Sequence, residues 1–72
     1  MDYYERKNKT IELIDTMIEK ASFTRDDIIY SVLKYTGMSG RFVDSYINLG
    51  VTRDSISVDK DKGIVRFKEV KK

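Results

Sequence analysis

The sequence predicts an α+β domain: three helices followed by a two-stranded β-hairpin. Three observations carry that expectation. Apolar residues recur with a helical period between Thr10 and Leu49, the helices are punctuated by capping residues and glycines, and beyond Gly50 the period shortens to two.

The first helix is expected over residues 10–22. At about 100° per residue, Ile11, Leu13, Ile14, Met17, Ile18 and Ala21 fall on one side, while Glu12, Asp15 and Glu19 form an acidic stripe on the other. Residues 1–9 read as an N-terminal arm or as an extension of this helix. Asp2 with Glu5 offers a cap for a start at Tyr3, and Asn8 or Thr10 offers a later one.

The second helix is expected over residues 25–36. Thr24 and Asp27 stand at capping-box spacing, with Phe23 and Ile28 placed as a hydrophobic staple. Its buried side reads as Ile28, Ile29, Val32, Leu33 and Thr36, and Gly37 stands where a left-handed residue ends a helix. Tyr30 and Tyr35 fall outside that stripe or at its edge, as partly exposed packing.

The third helix is expected over residues 40–49. Ser39 is placed to cap it, Met38 and Val43 to staple it, and Gly50 to close it. A connection this short, with a glycine in it, is the spacing of a helix-turn-helix. The inner side of the third helix reads as Phe42, Val43, Tyr46, Ile47, Leu49 and Gly50, and Arg41, Ser45 and Asn48 line the opposite side. That outward stripe has chemistry suited to base edges. Arginine bonds guanine bidentately, asparagine does the same for adenine, and serine reaches bases or phosphates.

After Gly50, Ile56 and Val58 alternate with polar neighbours, as do Val65 and Phe67, and the loop Asp59-Lys60-Asp61-Lys62-Gly63 lies between them. A hairpin over residues 55–70 follows, with a frayed end after it.

Composition sets the outer limits. Seventy-two residues make one domain, residues 1–72, with a small core, since a chain of this size buries only roughly 60% of its unfolded surface. With no Cys and no His there are no disulfides, no thiolate chemistry and no usual zinc ligands. No serine stands in a nucleophile motif, the paired aspartates belong to a cap and a loop, and the glycines are too scattered for a phosphate loop. An enzyme is not expected, nor any cofactor, metal or small-molecule substrate. No apolar run approaches a membrane span, and MDYYERKNKT lacks the apolar core of a secretory signal, so the expected compartment is the cytoplasm. Charge is unevenly spread. Residues 59–72 carry a surplus of three positive charges, whereas in residues 24–50 Asp26, Asp27 and Asp44 offset Arg25, Lys34 and Arg41.

The segments SFTRDDIIYSVLKYTGMSGRFVDSYINLG and SISVDKDKGIVRFKEV together resemble the winged helix-turn-helix superfamily, over residues 10–70. The resemblance implies that the third helix enters the major groove, through Ser39, Arg41, Ser45 and Asn48. It also implies a wing against the backbone or minor groove, through Lys60, Lys62, Arg66 and Lys68. The function expected from it is sequence-specific binding of double-stranded DNA by a small transcriptional regulator. Such a regulator is expected to act as a homodimer on half-sites about one helical turn apart. Tyr3, Tyr4 and Ile11 are the candidate dimer contacts. The resemblance departs from many DNA-binding members in its neutral second and third helices. That departure supports an alternative: a winged-helix module that docks on another protein in replication or transcription machinery.

Overall fold

A computed structural model describes residues 2–68. They form α1 (Tyr3–Lys20), β1 (Phe23–Thr24), α2 (Arg25–Thr36), α3 (Gly40–Thr52), β2 (Ile56–Val58) and β3 (Ile64–Phe67). The fold is thus α+β, three helices with a small antiparallel sheet of three strands rather than the two expected. Residues 69 and 70 of the expected hairpin lie outside the described residues.

Of the possible starts for α1 the earliest is used. The Asp2 carboxylate accepts the Glu5 amide at 2.8 Å, so residues 3–9 are helical. The helix stops at Lys20 rather than 22, because Ala21 is already extended as the chain enters β1. The boundary before α2 holds the reciprocal pair predicted for it: Thr24 Oγ1 accepts from the Asp27 amide at 3.2 Å, and Asp27 Oδ2 accepts from the Thr24 amide at 3.1 Å. Phe23 and Thr24 also pair with β3, a second role that two residues are too few to announce by periodicity. At the other end Gly37 has φ 73°, and its amide donates to the carbonyls of Val32 and Leu33.

Only Gly37, Met38 and Ser39 separate α2 from α3. Ser39 occupies the N-cap in extended conformation, but its side chain makes no capping hydrogen bond. Its carbonyl instead accepts the Phe42 amide at 3.1 Å. The larger correction lies at the far end. Gly50 does not close α3; the helix runs through it to Thr52 and turns at Asp54, which is left-handed at φ 63°. Gly50 is buried, and a Cβ placed on it would stand 2.7 Å from Ile56 Cγ1 and 3.0 Å from Ile56 Cβ. The missing side chain serves close approach of helix and sheet, not termination.

The sheet order is β1-β3-β2, with Phe23 opposite Val65 in one pair and Ile56 opposite Phe67 in the other. Val65, the middle strand's inward residue, is fully buried with Ile14, Ile28, Val32, Val43 and Ile47. One core therefore joins all three helices to the sheet. Leu33 and Leu49, expected inside, are 58% and 47% exposed. Leu33 stands about 140° round α2 from Ile28, and Leu49 about 160° round α3 from Ile47. The inward arcs are narrower than the apolar arcs. Thr10, by contrast, is fully buried. Its hydroxyl lies 2.8 Å from that of Thr36 and 2.7 Å from the Arg6 carbonyl, a polar tie between α1 and α2.

The Gly50 contact has a measurable consequence. Gly→Ala inside a helix ordinarily stabilises by about 1 kcal/mol, but here the added methyl collides with Ile56, and overpacking of this kind costs about 1–3 kcal/mol. Thermal melting of Gly50→Ala is therefore expected below wild type. An increase in melting temperature would mean that Ile56 moves aside freely and that the contact constrains nothing.

Candidate nucleic-acid interface

The third helix presents its polar residues as the spacing requires. Arg41, Ser45 and Asn48 are all exposed, at i, i+4 and i+7 of one face, with Ser39 exposed just before the first turn. Because α3 continues past Gly50, Thr52 joins the stripe at i+11, also exposed. Reading the helix as closed at residue 49 hid this residue, and the signal available was the absence of a charged or capping residue between Gly50 and Thr52. The stripe now spans about 16 Å of helix, and a major groove about 12 Å wide admits such a rod.

The orientation of α3 is fixed from three sides. Val43, Ile47 and Gly50 face the core. On the α2 side, Arg25 and Asp44 form an ion pair at 3.5 Å, with both side chains partly exposed. On the α1 side, the Tyr46 hydroxyl donates to Asp15 Oδ1 at 2.7 Å. Asp15 is therefore half-buried and engaged, leaving Glu12 and Glu19 as the exposed part of the expected acidic stripe. Burial of the Tyr46 phenol, its hydrogen bond to Asp15 and the carboxylate's charge together push its pKa up to about 12.

The basic residues of the hairpin are exposed but not gathered into one strip. Lys68 is ion-paired with Asp54 at the C-terminal end of α3, while its amide donates to the Ser55 carbonyl at 2.9 Å. Arg66 reaches the Ser22 hydroxyl at 3.5 Å, in the connection between α1 and β1. Lys62 lines a shallow hollow with Thr24, Arg25, Asp26, Val58 and Gly63, at the first turn of α2. Lys60 stands in the loop between two aspartates, where Asp59 Oδ1 accepts the Asp61 amide at 2.8 Å. Aspartates thus offset much of the local positive charge. Tyr3 and Tyr4 are exposed and Ile11 is half-buried. Ile11 lines an apolar groove of about 310 Å³ between α1 and α3, together with Lys7, Phe42, Ser45, Tyr46 and Leu49. Neither the groove nor Leu49's place in it was legible from a helical wheel that put Leu49 inside.

Among the described residues no cluster of acidic side chains would hold a metal ion, and no helix is long and apolar enough to cross a membrane. Comparison of the chain with protein-family models, curated proteins and solved structures gives no match in any of the three.

The Tyr46 contact yields a pH signature. Its folded pKa of about 12 lies above the ordinary 10.0, so the stability it contributes is fully present below pH 10 and is lost as pH rises toward 12. Tyr46→Phe is expected to lower stability by about 1 kcal/mol at neutral pH and to flatten the alkaline limb of urea-melt stability against pH. An unchanged limb would show that this phenol does not hold α3 to α1.

Proposed function

We propose that the chain is a winged-helix protein that binds double-stranded DNA by sequence, as a small cytoplasmic transcriptional regulator working as a homodimer. One observation carries the reading. After a three-residue turn, α3 exposes Arg41, Ser45, Asn48 and Thr52 along a single face while its opposite face is locked into the core. In this reading α3 lies in the major groove and reads base edges. The hairpin, through Lys60, Lys62, Arg66 and Lys68, rests on the flanking backbone.

Phosphate neutralisation supplies much of any protein's DNA affinity, and the α2–α3 region is neutral. Affinity per protomer is therefore low, and pairing on two half-sites is what raises it. A protein-docking module remains the second reading, favoured by the same neutrality and by the apolar groove beside Leu49. It is separated from the first by whether a partner captured from host extract survives nuclease treatment.

Fluorescence polarisation against duplexes selected from a random pool tests the leading reading. Binding is expected at low salt and is expected to weaken as salt rises. Arg41→Ala is expected to cost about 1–3 kcal/mol of base discrimination, whereas Lys62→Ala weakens all sequences alike. Asp54→Asn releases Lys68 from its ion pair and is expected to tighten binding and steepen the salt dependence by about one phosphate contact. No binding at low salt contradicts the reading outright.

A further inference from the structure

Two hollows on one flank of α3 share part of their walls. The groove between α1 and α3 is walled by Ile11, Phe42, Tyr46 and Leu49, and a smaller hollow of about 100 Å³ by Tyr46, Leu49, Arg53 and Phe67. Tyr46 and Leu49 stand in both, so the apolar surface continues from Ile11 and Phe42 to Phe67. Phe42, Tyr46, Leu49 and Arg53 follow one another at i, i+4, i+7 and i+11 along a single side of α3, which makes the strip about 16 Å long. Leu49 and Phe67 are 47% and 37% exposed. Contiguous apolar surface of this kind, rimmed by polar residues, marks a place where something docks.

The charges lining the strip are of one sign. Lys7 lines it on the α1 wall and Arg53 beyond Leu49, neither is ion-paired among the described residues, and no acidic side chain lines either hollow. Two adjoining carboxylates are already engaged, Asp15 by the Tyr46 hydroxyl and Asp54 by Lys68. Glu12, exposed, stands about 100° round α1 from Ile11. Ser45 is the residue that the groove shares with the polar face of α3; Arg41, Asn48 and Thr52 line neither hollow.

We infer that this strip docks a partner protein through an acidic amphipathic helix, its apolar side chains seated between Ile11 and Phe42 and between Leu49 and Phe67, its carboxylates on Lys7 and Arg53. A groove walled by two helices is a common seat for a third. Phe42 and Leu49 lie about 10 Å apart along α3, the same rise that separates i and i+7 on a bound helix. Charge then separates the occupants. A basic segment would set like charge against Lys7 and Arg53, and a phosphate backbone would meet those cations but leave the apolar walls uncovered.

The inference deepens the docking reading and needs no DNA, so a failed DNA titration leaves it standing and its own failure leaves DNA binding standing. Selection from a displayed library of random peptides of about 15 residues, long enough for about four helical turns, tests it on the intact chain. The enriched peptides are expected to carry carboxylates and two large apolar residues about two turns apart, and to bind less tightly as salt rises. Leu49→Ala, at a half-exposed site outside the core, is expected to weaken them about tenfold or more. Lys7→Glu with Arg53→Glu is expected to weaken them too, and to bind the same peptides better once their glutamates are lysines. Tyr30→Ala, an exposed tyrosine on the outer side of α2, is expected to change nothing. Enrichment of basic peptides or of none overturns the inference, as do binders indifferent to Leu49→Ala. Peptide binding that disappears as the protein self-associates also overturns it, because a second copy then covers the strip.

Discussion

The approach of Ile56 to the bare backbone of Gly50 is the contact on which the placement of α3 against the sheet depends. A Cβ at Gly50 would overlap the Ile56 side chain, so any side chain there forces Ile56 or the helix to shift. With glycine there, the helix lies against β2, continues to Thr52 and turns only at the left-handed Asp54. Each of those steps has a consequence on the outside. The extra turn adds Thr52 to the polar stripe, and the turn at Asp54 places its carboxylate where it captures Lys68. The late turn at Asp54 thus sets both how long the outward face is and what charge stands at its end.

The same economy governs the ends of α2. Thr24 belongs to the capping box and to β1 at once, so the residue that starts the second helix also ties it to the middle strand. Val65, opposite Phe23, carries that tie into the centre of the core. Between them the cap and the strand pairing hold the N-terminal helices to the hairpin. The three-residue turn after Gly37 then leaves α3 little freedom of direction.

Much of this architecture was legible in the sequence because local chemistry and global packing agree at those residues. Asp2, Thr24, Asp27 and Gly37 do what their types do at helix ends, and the Arg41, Ser45 and Asn48 face follows from the helical period alone. What the sequence concealed depends on contacts between distant residues. Gly50 looks like a terminator until Ile56 is seen beside it. Asp15 looks like a solvated acid until Tyr46 reaches it across 31 positions. Leu33 and Leu49 look buried because a helical wheel assigns half of each helix to the core, whereas the neighbouring elements cover a narrower arc. The pairing of Lys68 with Asp54 likewise depends on the turn after α3, which periodicity placed three residues too early.

The proposed function requires the exposed face of α3 to meet double-stranded DNA, with the hairpin beside it. Titration of ¹⁵N-labelled protein with a duplex it binds, following amide shifts residue by residue, tests this. The largest changes are expected at Arg41, Ser45, Asn48 and Thr52, with smaller ones at Lys60 and Lys62 and little at Glu12 or Glu19. Changes confined to Tyr3, Tyr4 and the groove around Ile11 and Leu49, with α3's polar face silent, would contradict it.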